Sequence, residues 1–88
     1  MKIKSSFKLR KAAGENIVMV YGEEAKKYSG VIILNDTSAF LWSEIESKQS
    51  DKDALIKALK DEYNIDDDTA AKGVEKFINL ITEQGFLE

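Results

Sequence analysis

The stretch "VIILNDTSAFLW", residues 31–42, decides the fold because its periodicity changes without an intervening loop. The four apolar residues 31–34 are typical of a strand that is buried on both faces. Asn35 or Asp36 is suited to cap a following helix, because a short side-chain oxygen can accept a hydrogen bond from a first-turn amide. The apolar positions that share one face of this helix are Leu41, Trp42 and Ile45. We therefore predict a strand that runs directly into a capped helix.

The residues before this stretch have the pattern of a small sheet. Residues 7–10 alternate apolar and basic side chains, as a half-buried strand does. Residues 14–16 are typical of a turn, and the β-branched and aromatic residues 17–21 indicate a second strand. A polar segment with a glycine at each end, residues 22–30, connects it to the third strand.

The residues after this stretch predict two more helices. Ser50 has the position of an N-cap in the capping-box pattern "SDKD", and acids 66–68 suit the start of the last helix. Gly85 is placed to stop it. The apolar stripe of the last helix is Ala70, Val74, Phe77, Ile78 and Ile81. The order β-β-β-α-α-α predicts one α+β domain over residues 1–88, similar to a winged helix-turn-helix.

The composition argues against catalysis. The chain has no His and no Cys, so it lacks the usual general base near neutral pH and a thiolate nucleophile. It also lacks the glycine-rich phosphate motifs and the nucleophile-elbow motif. Asn64, Asp66, Asp68 and Glu75 fit a calcium-loop register, but Thr69 stands where glycine is required, and helix capping explains the acids more simply. We expect no catalytic residue, no metal site and no cofactor.

Charge and hydropathy limit the partners. No run of about 18 apolar residues exists, and the start lacks the apolar stretch of a signal peptide, so we expect a cytoplasmic chain without a membrane partner. Residues 35–88 hold six basic and thirteen acidic residues, a balance of −7. Such acidic helices would repel a nucleic acid, so we expect none as partner. A winged-helix DNA-binding or regulatory module stays the alternative.

The sheet itself suggests a binding surface. Three strands cannot close into a barrel, so at least one strand must lie at an edge. Residues 31–34 contain no lysine, proline or glycine that would protect such an edge. Either a helix covers this strand, or it accepts a strand from another molecule. Self-association through the same edge is a further alternative.

Four segments of the chain together resemble the PqqD family, the pyrroloquinoline quinone biosynthesis protein D-like domains. They are "FKLRKAAGENIVMVYG", "VIILNDTSAFLW", "DALIKALKDEYNID" and "VEKFINLITEQGFL". The most specific part is Leu34-Asn35-x-Thr37/Ser38 followed by Leu41-Trp42. The next is Val74-x-x-Phe77-x-x-Leu80, which ends in Gly85-Phe86-Leu87.

This resemblance implies a non-catalytic, peptide-binding adaptor or chaperone. Members of the family recognise the leader segment of a ribosomally made precursor peptide and present it to a modifying enzyme, often a radical SAM enzyme. The leader adds to the third strand and lies in the cleft toward the third helix. The implied strand contacts are Val31, Ile32, Ile33 and Leu34, and the implied helix contacts are Val74, Phe77, Ile78 and Ile81.

Two positions depart from the family pattern. The segment "ESKQSD" stands where the family commonly has Asp-Gly, and Gly73 stands where an acidic residue often precedes the valine of the last helix. A glycine inside a helix costs about 1 kcal/mol against alanine but allows another chain to approach closely. The departures leave open which precursor peptide, partner enzyme and final product belong to this chain.

Overall fold

The computed structural model describes residues 1–28 and 32–88 of the chain. Three antiparallel strands in the order β1-β2-β3 form a sheet, and three helices follow. The strands are β1 (Phe7–Ala12), β2 (Glu15–Val20) and β3 (Ile32–Leu34), with a 3-10 helix (Gly22–Lys27) before β3. The helices are α1 (Asp36–Lys48), α2 (Lys52–Tyr63) and α3 (Asp67–Glu83). The predicted α+β order is confirmed, while Val31, the predicted first residue of the third strand, lies outside the described residues.

A two-residue turn joins β1 to β2. Ala13 and Gly14 have φ angles of 52° and 79°, the left-handed values that tight hairpin turns require. Because two residues suffice, Ala12 pairs directly with Glu15, and β2 starts two residues earlier than expected. The prediction that Asn16 belongs to the turn is therefore wrong, since it lies within β2 and is buried.

The helices cover one face of the sheet only. Side chains alternate along a strand, and Leu34 is 3% exposed whereas the neighbouring Ile33 is 54% exposed. The prediction that β3 is buried on both faces is therefore wrong. The face that carries Leu34, Val18 and Phe7 packs against the helices, and the opposite face is open to solvent.

Aromatic contacts join the sheet to the helices. Phe86, which is fully buried, lies with its ring centroid 4.5 Å from that of Phe7 in β1 and 5.6 Å from that of Trp42 in α1. Gly85 has a φ of 76°, which turns the chain back after α3 as predicted. The helical part of the core comprises Leu41, Trp42, Ile45, Leu55, Leu59, Ala70, Val74, Phe77 and Ile81. None of the helices in the described ranges is long and apolar enough to cross a membrane.

Each of the three α-helices begins at a side-chain cap. Asn35 accepts a hydrogen bond from the Ser38 amide at 2.8 Å, as one of the two predicted caps. For α2 the cap is Asp51 and the prediction of Ser50 is wrong, because the Ser50 hydroxyl donates instead to the Glu44 carbonyl.

The acids before α3 also cap a helix. Asp66 accepts a hydrogen bond from the Thr69 amide at 2.8 Å, and this bond holds the pKa of the Asp66 carboxyl below its usual value. Within residues 1–28 and 32–88 no group of acids is arranged to hold a metal ion. Asp66 therefore has a structural role as the N-cap of α3.

The abrupt change from β3 to α1 is held by a buried amide of β2. The Asn16 Nδ2 donates to the Leu34 carbonyl at 3.2 Å and to the Asp36 Oδ1 at 2.9 Å. Asn16 is 8% exposed, so an unmade hydrogen bond here would not be replaced fully by water. One side chain thus fixes both the end of β3 and the first residue of α1.

We expect Asn16→Ala to destabilise the fold by about 1–3 kcal/mol, because it leaves the buried Leu34 carbonyl without this donor. Urea denaturation measures the effect. Asn79→Ala serves as the control, because Asn79 is exposed on α3. Equal unfolding midpoints for the two variants would show that the amide does not hold the junction.

Candidate functional site

The two edges of the sheet differ in charge. The β1 edge strand carries Lys8, Arg10 and Lys11, and charged side chains on an edge hinder pairing with another strand. The described part of β3, Ile32–Leu34, carries no charge, and no strand of the described residues pairs with its outer side. The β3 edge is therefore the one suited to accept an added strand.

The backbone at Ile33 is directed toward this open edge. The Leu34 carbonyl is on the β2 side, where it accepts a hydrogen bond from Asn16. Successive residues of a strand direct their backbone groups to opposite sides. Ile33 therefore offers one N–H donor and one C=O acceptor to a new strand.

A groove lies beside this edge, between the start of α1 and α3. Its volume is about 390 Å³. The residues that line this junction groove are Asn35, Thr37, Ser38, Gly73, Lys76, Phe77 and Leu80. The four α3 residues follow helical spacing and so form one face of that helix. Because Asn35 directly follows β3, the groove and the open edge are adjacent.

The structure places the helix residues predicted for binding mostly in the core. Val74 and Ile81 are fully buried and do not line the junction groove, and Ile78 packs partly buried against the core. Phe77 is 2% exposed but contributes to the groove wall. The role of these four residues in binding stays a prediction.

Sequence reasoning assigned no binding role to Lys76 or Leu80. Together with Gly73 they form a stripe one position around the helix from the predicted apolar stripe. Leu80 is half-buried, and Lys76 is exposed. The helical spacing of residues 73, 76, 77 and 80 indicates that they share one face of α3. Which of the two adjacent stripes faces the core depends on how α3 is rotated against its neighbours, and the sequence alone does not give that rotation.

The charge of α3 does not suit a helix that reads DNA. Such a helix needs free donors at its exposed positions. Lys72 is instead paired with Asp68 at 3.1 Å, and Asp67 is paired with Lys60 of α2. Lys76 is the only cation among the groove-lining residues.

Comparison with known families identifies the chain. The family model of Coenzyme PQQ synthesis protein D (PqqD) matches residues 16–87, which is more than half of the chain. The chain belongs to the PqqD family. The resemblance carried by the strand-to-helix junction and by the last helix is thereby confirmed.

A solved structure shares the fold of this PqqD-family chain. It is the structure of TbiB1 in complex with the TbiA(beta) leader peptide. The two chains are 17% identical and superpose with a TM-score of 0.75. The alignment covers 100% of this chain and 95% of the other chain. At this identity the likeness shows the fold alone, three strands followed by helices. No curated protein matches the chain in sequence.

Two glycine substitutions should have opposite effects on stability. A Cβ at Gly73 would lie 3.5 Å from the Leu59 Cδ2, an ordinary contact, so Gly73→Ala should stabilise α3 by about 1 kcal/mol. Gly85 has a left-handed φ, and its Cβ would lie 3.3 Å from the Tyr28 hydroxyl. Gly85→Ala should therefore destabilise the fold by about 1 kcal/mol or more. Urea denaturation of both variants tests this, and a less stable Gly73→Ala would contradict it.

Proposed function

We propose that this chain is a non-catalytic adaptor that binds the leader segment of a ribosomally made precursor peptide and presents it to a modifying enzyme. The observation that carries the proposal is the uncharged, open edge of β3 beside the junction groove. Membership of the PqqD family supports it. A fold shared with a protein solved in complex with a leader peptide supports it too.

The leader binds as a fourth strand. Its backbone pairs with the Ile33 N–H and C=O, and its side chains alternate between the two faces of the extended sheet. Those on the helix side enter the junction groove, where Phe77 and Leu80 offer apolar contacts. Those on the other side lie next to the exposed Ile33 side chain.

The energetics suit reversible binding. Two or three buried apolar side chains contribute roughly 1.5–3 kcal/mol each, and each ladder hydrogen bond adds about 0.5–1.5 kcal/mol net. Ordering a flexible peptide offsets several kcal/mol of this gain. A net free energy near −8 kcal/mol corresponds to a dissociation constant of about 1 μM. Such a complex holds the peptide but still releases it.

We assign the chemistry to a separate enzyme. The chain contributes no imidazole and no thiol, the side chains that most often act as base or nucleophile near neutral pH. The radical SAM class of that enzyme is the one that resemblance to the family implies. The adaptor's task is then to hold the leader in one register while the rest of the peptide reaches the enzyme.

Ile33→Pro tests strand addition directly. Proline removes the Ile33 N–H, which points to the open edge. The hydrogen bonds between β2 and β3 do not use this donor and are therefore kept. Leader peptides encoded near this chain's gene, labelled with a fluorophore, should bind the native chain with micromolar affinity in anisotropy titrations. Ile33→Pro should weaken binding about tenfold, which corresponds to about 1.4 kcal/mol.

Ile33→Thr is the matched control, because it keeps the backbone groups and a β-branched side chain at the same exposed position. It should change the leader affinity much less than Ile33→Pro does. Equal affinities for the proline and native chains would rule out strand addition at this edge. No binding of any such leader below 1 mM, on the order of −4 kcal/mol, would rule out the function itself for those peptides.

Leu80→Ala tests the junction groove. Leu80 is half-buried in the groove wall, so its truncation removes apolar contact with the leader. We expect leader affinity to fall about tenfold, as loss of most of one apolar side-chain contact implies. Asn79→Ala, the adjacent exposed position outside the groove lining, should leave it unchanged. If both variants bind like the native chain, the leader's side chains lie elsewhere.

A further inference from the structure

The solvent-facing side of the sheet carries most of the exposed apolar side chains. By strand alternation, Ile17, Met19 and Tyr21 share this side with Ile33. Met19 is 39% exposed, Tyr21 43% and Ile33 54%. Among the residues that the structure describes, only Tyr63 is a large, comparably exposed apolar residue elsewhere. We call this side, with Lys8 and Arg10 of β1, the outer face.

On the outer face, the cations lie on β1 and the apolar side chains lie on β2 and β3. The register places Arg10, Ile17 and Ile33 in one row across the sheet, and Lys8 opposite Met19 in the next. Lys8, Arg10 and Tyr21 also line a depression of about 510 Å³ at the β1 end of these rows. The surface therefore combines an apolar strip with a basic border.

The cations of this border are available to a partner. Lys8 and Arg10 take part in no ion pair with the residues that the structure describes, whereas lysines elsewhere, such as Lys48 with Glu44, do. Unpaired charges around an apolar centre are typical of a protein interface with a polar rim. The complementary surface is acidic at its border and apolar at its centre.

A second copy of this chain does not fit the outer face. A symmetric dimer through this face would use the same patch on both copies, so Lys8 and Arg10 would meet cations or apolar side chains of the other copy rather than a cluster of acids. Contact between the outer face and the acidic helices of another copy would be head-to-tail and would extend into an open chain of molecules unless it closes into a ring. A different protein is the better occupant.

We infer that the outer face docks an acidic, apolar surface of a second protein, the modifying enzyme of the proposed function, and that the enzyme contacts the bound leader at the same surface. The second part rests on the proposed function. Ile33 lies at the open edge, so the outward side chains of an added strand continue the row of Arg10, Ile17 and Ile33. Enzyme affinity is then higher for the loaded adaptor than for the empty one, since the leader adds contacts.

Photo-crosslinking in the source organism tests the surface. A photoreactive amino acid replaces Met19 on the outer face or, as the control, Lys57, which is exposed on α2. The expected result is a crosslink from position 19, and none from position 57, to a protein identified as a peptide-modifying enzyme. Crosslinks from position 19 to no protein, to a second copy or to lipid overturn the inference, and so do equal crosslinks from both positions.

Charge-reversal variants of this chain test the basic border, with binding measured to the purified enzyme that the crosslinking identifies. Lys8→Glu combined with Arg10→Glu should weaken enzyme binding about tenfold or more, while Lys57→Glu should leave it unchanged. Leader affinity should be unaffected by both, because neither β1 residue lies at the β3 edge or in the junction groove. Unchanged urea midpoints confirm that the variants are folded.

The two proposals fail in different ways. Unchanged enzyme affinity in the charge-reversed variant, with normal leader binding, overturns the docking surface and leaves the adaptor function standing. The adaptor function is overturned instead if the crosslink is position-specific and the enzyme complex depends on charge, but no leader binds. Equal enzyme affinity with and without leader overturns the joint contact.

Discussion

The site depends on one buried amide. Asn16 binds the end of β3 and the start of α1 with the same nitrogen, at 3.2 Å and 2.9 Å. These two acceptors set the position of the open edge and of the first wall of the junction groove. In the proposed complex, the added strand would reach both at once, with its backbone at Ile33 and its side chains beside Asn35. A shift of either element alone would separate the two halves of the site.

The asymmetry between the sheet edges has a physical reason. A β1 edge rich in cations resists pairing, because an added strand would bring its backbone against charged, hydrated side chains. The described part of the β3 edge, Ile32–Leu34, carries no charged side chain and exposes an isoleucine. An apolar edge without such charges favours pairing with another strand or aggregation. In the proposed complex, the junction groove would add apolar contacts to the backbone hydrogen bonds made at this edge.

Features that depend on neighbouring residues could be predicted from the sequence, whereas features that depend on tertiary contacts could not. The cap at Asn35 and the stop at Gly85 were predictable, because each depends on residues at most a few positions away. The exposure of Ile33 was not, because it depends on which face of the sheet the helices cover. The role of Asn16 was not predictable either, because its hydrogen-bond partners lie 18 and 20 positions further along the chain, and Asn16 was interpreted as a turn residue. Leu80 was missed because the rotation of α3 decides which stripe lines the groove.

The period of two in a β-strand has a consequence for how a bound leader would be recognised. In the proposed complex, every second leader residue faces the junction groove, and the residues between them face outward beside Ile33. The chain would therefore contact one half of the leader's side chains through Phe77 and Leu80 and leave the other half accessible. An enzyme on the outer face would contact that second half together with Arg10 and Ile17. Leader selection would then be divided between two proteins by strand geometry alone, so that neither needs to recognise the whole segment.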